Sequence, residues 1–138
     1  MSTQALPSEL VEVIGRYQLA FLITIGAHDG PHTTPQQTIL DADRVRLPAT
    51  GPTTRRNIAA SPAITLLWPP VTPDGHALIL DGIATVTGDE LDIRVTRAVL
   101  HHTATPEPGA ARCSGCRRFV LDSPGDIATP GIQPAIMA

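Results

Sequence analysis

The sequence contains no lysine, so all ten of its basic residues are arginine. Any anion held by charge is therefore held by guanidinium groups, whose planar fork favours bidentate contact with phosphate or carboxylate. Aromatic residues are almost as scarce: Tyr17, Phe21, Trp68 and Phe119 are the only ones among 138 residues. With 13 acidic residues and a net charge of −3, the chain lacks both the basic stripe and the stacking surface of a nucleic-acid binder, which excludes that class. Two cysteines, Cys113 and Cys116, are too few for the disulfide framework of a small secreted domain. The apolar run at residues 19–25 falls far short of the roughly 20 residues that span a bilayer, so no membrane partner is expected. Glu9 and Glu12 precede that run and no small-residue cleavage pattern follows it. Residues 1–15 thus read as a helix and a cytoplasmic location is expected.

What is present indicates one globular domain over residues 1–121, followed by a tail rich in Pro, Gly and Ala at 122–138. Pro7, the acids Glu9 and Glu12, and the spacing of Leu6, Leu10, Val13 and Ile14 predict an amphipathic N-terminal helix ending at Gly15. Strand patterning follows. Residues 19–25 and 31–40 read as a hairpin around His28-Asp29-Gly30, 44–47 alternate polar and apolar, and 63–68 and 76–87 form further strands. Asp81-Gly82 inside the last of these suggests a bulge. Leu91, Ile93 and Val95 alternate again, residues 101–115 read as a loop, and 117–121 as a last strand. About seven short strands with two helices predict a mostly β fold, an antiparallel barrel or sandwich; closing a barrel removes the exposed edges.

The segment Ala49-Thr50-Gly51-Pro52-Thr53-Thr54-Arg55-Arg56-Asn57 leads from a strand into a predicted helix at 55–60, with Thr54 placed to cap it. A helix N-terminus, three threonine hydroxyls and two adjacent arginines are phosphate-binding devices; a capped surface helix with solvated arginines is the structural alternative. Cys113 and Cys116 have the spacing of a redox pair or half a metal site. Without a thioredoxin-like context they read as loop cysteines, and no metal site is expected. His28, His32 and His76 lie beside turns and read as solvated.

Three stretches, FLITIGAHDGPHTTP (residues 21–35), RVRLPATGPTTRRNIAASPAITLLWP (residues 44–69) and LILDGIATV (residues 78–86), carry a resemblance. In order and spacing they resemble the FMN-binding split-barrel family of pyridoxamine 5'-phosphate oxidase-like proteins. The resemblance implies a split antiparallel barrel and a homodimer holding FMN between subunits, with hydride or electron transfer to a small-molecule substrate. By position it implies that Thr34, Pro35, Gln36 and Gln37 line the flavin ring, largely through backbone groups. Ala49, Thr50 and Thr54 would flank the ribityl chain and phosphate, Arg55 and Arg56 would grip the phosphate, and Asn57 would follow them as a polar residue. Ile39 stands where true pyridoxamine phosphate oxidases carry a basic substrate ligand, so oxidation of that substrate is not expected. Gln36-Gln37 stands where many relatives have bulky aromatics. A deazaflavin-dependent reductase of the same fold, or a barrel that binds a cofactor for sensing without turnover, are the alternative readings.

Overall fold

In the computed structural model the described residues are 6–40, 44–48, 50–102 and 117–121. They form α1 (Ser8–Ile14), β1 (Ala20–Gly26), β2 (Gly30–Gln36), β3 (Ile39–Leu40), β4 (Val45–Leu47), α2 (Pro52–Ala60), β5 (Ala63–Trp68), β6 (His76–Thr87), β7 (Glu90–His102) and β8 (Arg117–Phe119). All strands belong to one antiparallel sheet in the order β2-β1-β5-β6-β7-β4-β3, with β8 added beside β7.

Chain continuity forces this sheet to curl. β2 and β3 stand at opposite ends of the strand order, yet only Gln37 and Thr38 separate them in sequence. In a flat sheet with strands about 4.8 Å apart, the two edges would lie roughly 29 Å from each other. Three peptide steps reach about 11 Å at most. The mostly β split-barrel architecture expected from the sequence is the one observed.

The inward row of each strand fills the curl. Leu22 of β1, Leu66 and Trp68 of β5, Leu78 and Leu80 of β6, Leu91, Ile93 and Val95 of β7, and Val45 and Leu47 of β4 are all buried. Each contributes about 1.5–3 kcal/mol of transfer free energy. α1 adds Leu10, Val13 and Ile14 at helical spacing, and α2 adds Ile58. The helices sit at opposite ends of the strands. The Tyr17 hydroxyl, just after α1, donates to the His76 carbonyl at the start of β6, 2.7 Å away, and Arg117 of β8 pairs with Glu9. α2 is tied to the other end, at the β6–β7 turn. No helix among the described residues is long and apolar enough to cross a membrane.

The long β6–β7 hairpin contains one irregularity. Asp81 pairs with Arg97 but Gly82 pairs with Val95, so Thr96 is the extra residue. The sequence pointed to Asp81-Gly82; the inserted residue lies opposite, on β7. A Cβ on Gly82 would come within 2.7 Å of the Arg94 carbonyl oxygen and of Ile93 Cγ2, so only glycine admits this close approach. The Asp81 carboxylate accepts from Thr65 Oγ1 (2.7 Å) and Arg97 Nη1 (3.0 Å), and Thr96 Oγ1 donates to the Asp81 carbonyl (3.2 Å).

Three elements differ from expectation. The strand at 31–40 is broken at Gln37-Thr38 into β2 and β3, because the chain there crosses from one sheet edge to the other. His101 and His102 do not open a loop but complete β7, where the β6 ladder pairs them with Ala77 and His76. α2 begins three residues earlier than predicted. Residues 103–116, with Cys113 and Cys116, and the tail at 122–138 lie outside the described residues.

Gly82→Ala should destabilise the protein by about 1–3 kcal/mol in chemical denaturation, since backbone rather than a flexible side-chain end must move. Burial raises the pKa of Tyr17, partly opposed by the nearby Arg16 charge. Because the chain has one tyrosine, phenolate absorbance should show a single transition above the ordinary value of about 10. The raised pKa means that the stabilisation is present below the unfolded-state pKa and lost as pH rises through the folded-state value.

Candidate functional site

α2 starts where the sequence offers a glycine and a proline. Gly51 is the N-cap in extended conformation, Pro52 occupies the first turn, and no side chain caps the helix. No carboxylate lies in that first turn either, so the positive end of the helix dipole keeps its capacity for an anion. The predicted cap, Thr54, is instead a residue of the first turn and is buried.

The inner face of α2 carries Thr54, Asn57 and Ile58. Asn57 Nδ2 donates to Thr24 Oγ1 of β1 at 3.0 Å, and this pair is almost completely shielded from water. Asn57, expected as a polar residue beside the phosphate, thus fixes the helix to the barrel wall. The signal for this pairing was legible as one polar residue, Thr24, inside an otherwise apolar run.

Thr50 precedes the helix. Its N–H donates to the Asp89 carbonyl at 3.4 Å, while its side-chain hydroxyl is buried without a hydrogen-bond partner among the described residues. An unpaired buried hydroxyl costs about 1–3 kcal/mol, which a ligand accepting or donating there would recover. Ala49 lies outside the described residues.

Arg55 and Arg56 leave the helix in different directions, as neighbours about 100° apart must. Arg55 Nη1 donates to the Gly88 carbonyl in the β6–β7 turn at 2.9 Å. Arg56 is exposed and lines a cleft of about 350 Å³ with Ala27, His28, Asp29, Asn57 and Ala60. The β6–β7 turn, which the sequence reading did not assign to the site, therefore braces the loop at both Thr50 and Arg55. Its clue was Gly88 in left-handed conformation at φ 63°. Carboxylates following this turn are paired with arginines in and just before β4: Arg46 with Glu90 and Arg44 with Asp92, each at 2.7 Å.

Of the expected ring-binding residues, Thr34, Pro35 and Gln36 lie on β2, which ends the strand order, and Gln37 follows it. Thr34 faces inward opposite Leu22 and Gln36 opposite Ala20, with Gln36 Nε2 donating to Thr34 Oγ1 at 3.3 Å. Pro35 and Gln37 are exposed. The loop, helix start and arginines are contiguous in sequence, with Arg55 on the β6–β7 turn and Arg56 beside the β1–β2 turn. A second, shallow groove of about 340 Å³ runs along the outer sheet face, where Ile23, Ile25, Ala63, Thr65 and Ile83 meet Asp81. Neither cleft is lined by Thr34–Gln37 or by Thr50.

No protein-family model matches the chain. An uncharacterised protein of Mycobacterium bovis and one of Mycobacterium tuberculosis are each 35% identical to it over 124 residues, covering 78% of this chain and 86% of theirs. Among solved structures, a Clostridium acetobutylicum protein is related to a Bacillus subtilis general stress protein and placed in the pyridoxinephosphate oxidase family. It aligns with a TM-score of 0.59 over 81% of this chain and 92% of its own, at 12% identity. A Listeria innocua protein, provisionally described as a pyridoxamine 5'-phosphate oxidase, aligns with a TM-score of 0.56 over 67% and 95%, at 13% identity. At such identities the likeness is one of fold.

Asn57→Ala should destabilise the chain by about 1–3 kcal/mol, because it leaves the Thr24 hydroxyl buried and unpaired. Pairing it with Thr24→Val should restore part of the loss. Strictly additive costs in a double-mutant cycle would contradict the coupling.

Proposed function

The chain belongs to the family of these two mycobacterial proteins and has the split-barrel fold of the pyridoxamine 5'-phosphate oxidase-like proteins, and from these premises we propose that it is an FMN-binding oxidoreductase. The observation that carries the reading is the orphaned Thr50 hydroxyl beside an uncapped helix start. A hydroxyl with no protein partner, free first-turn amides and guanidinium groups are a donor set that fits a phosphate ester.

In this reading Thr50 and the first turn of α2 hold the phosphate, and Arg55 and Arg56 supply its countercharge. Arg55 comes to it already oriented by Gly88; Arg56, exposed, swings to it. Thr34, Pro35, Gln36 and Gln37 line the ring edge. FMN itself supplies the hydride or electron transfer; the protein orients it and excludes competing reactions. No catalytic side chain is needed for that division of labour.

The ring needs a second wall that one chain does not supply, and the reading assigns this to a second copy in a homodimer. The outer face of β1, β5 and β6 suits that role: Ile25 is 46% exposed, and Ile23, Leu67 and Ile83 around it are half-buried. The substrate is a small molecule. Ile39, half-buried in β3, gives it no charge to bind, which disfavours pyridoxamine phosphate.

Titration of the purified protein with FMN, followed by visible absorption, tests the reading. Saturable binding is expected, and a protein that binds neither FMN nor deazaflavin refutes it; binding of deazaflavin alone selects the reductase alternative. The double variant Arg55→Ala, Arg56→Ala should lose about 1.5–3 kcal/mol of affinity per contact. Thr50→Val separates stability from binding: it should leave the cofactor-free protein equally or more stable, yet weaken FMN roughly ten- to a hundred-fold.

A further inference from the structure

The inward row of β2 is polar, and the proposed function uses it only in part. Burial along this strand alternates strictly: Pro31, Thr33 and Pro35 are exposed, whereas His32, Thr34 and Gln36 are half-buried on the inward face. The inward positions of β5, by contrast, are Ile64, Leu66 and Trp68.

His32 is the member of the row without a role. Its place beside a turn reads as solvated, yet the ladder sets it opposite Thr24 of β1, which is fully buried. Residues directly opposite in an antiparallel pair have Cβ atoms about 4.5–5.5 Å apart. Thr24 in turn accepts from Asn57 of α2. His32 therefore stands where the barrel wall meets α2. Its ring nitrogens have no hydrogen-bond partner among the described residues.

We propose that His32 is a cofactor-binding residue that hydrogen-bonds the ribityl chain. The inference rests on the FMN reading and extends it to a residue that the resemblance leaves unassigned. Position supports it. The proposed phosphate contacts lie on α2 and the loop before it, and the proposed ring contacts begin at Thr34, one step of about 7 Å further along the same row. His32 is the first inward side chain of β2 and the one opposite the α2 anchor, so it lies between the two groups.

The chemistry also fits. Neutral imidazole offers one donor and one acceptor nitrogen, and a polyol hydroxyl can satisfy either. An unpartnered, half-buried imidazole gains from such a contact without giving up a bond to the protein. Sequence patterning could not show this, because the inward direction of His32 follows from its register with Thr24.

Titration of the full chain with FMN and with riboflavin, which keeps the ribityl chain but lacks the phosphate, tests the assignment. His32→Ala should weaken both by a similar factor, roughly three- to tenfold. His32→Gln, which keeps a donor and an acceptor, should restore part of the loss. Proton spectra of the unaltered protein give a readout that does not depend on a variant folding. FMN and riboflavin should each shift the His32 imidazole resonances, whereas inorganic phosphate should leave them in place. If FMN binds but His32→Ala binds it equally well, or the resonances stay fixed, the proposal is overturned and the FMN reading stands. Loss of affinity for FMN alone, with riboflavin unaffected, overturns it too, since the contact would then be to the phosphate. A protein that binds no flavin overturns the FMN reading and this inference with it.

Discussion

The two residues Gln37 and Thr38 impose the geometry on which the rest of the molecule depends. They join strands that the hydrogen-bond ladder places at opposite ends of the sheet, so the sheet must turn its two faces into an inside and an outside. The inside is then too small for anything but side chains. Thus most inward positions are apolar, with Leu, Ile, Val and Ala around Trp68, and the buried polar contact from helix to wall, Asn57 to Thr24, is paired. The outside keeps its own apolar row because β1 is hydrophobic on both faces.

The ends of the strands carry the polar chemistry. At one end α2 is held by its buried asparagine from within and by the β6–β7 turn from without. The loop before it is thereby fixed to the β6–β7 turn at Thr50 and Arg55. At the other end α1 packs its apolar stripe on the core and reaches β6 through Tyr17.

Much of this was legible in the sequence where local patterning and tertiary demand agree. The β1–β2 hairpin, β5, β6 and the irregularity near Gly82 follow from alternation and turn residues. The start of α2 was misplaced because Thr54 is a good cap by type, although Gly51-Pro52 is the signal that the helix obeys. His101 and His102 read as loop because nothing local makes them strand. They extend β7 because β6 offers a ladder to pair with, through Ala77 and His76, an influence that no local window contains. The phosphate-type loop was legible as a set of residue types, whereas the divergence of Arg55 and Arg56 and the orphaned Thr50 hydroxyl depend on packing. Ala49, Cys113 and Cys116 fall outside the described residues.

The single unmatched residue on β7 also governs how this protein can change. Up to Val95 the odd-numbered residues of β7 point inward, and from Ala98 onward the even-numbered ones do. Thr96 therefore acts like a shift in reading frame: it moves the inward positions from odd to even numbers, and deleting it would restore plain alternation with Ala98, Leu100 and His102 still inward and Arg97 still outward. Single-residue changes in length within this hairpin thus keep every side chain on its face at two places, the turn around Gly88-Asp89 and Thr96 itself. Descendants of this chain should vary in length at the turn or lose the bulge at Thr96, and keep the rest of β7 fixed.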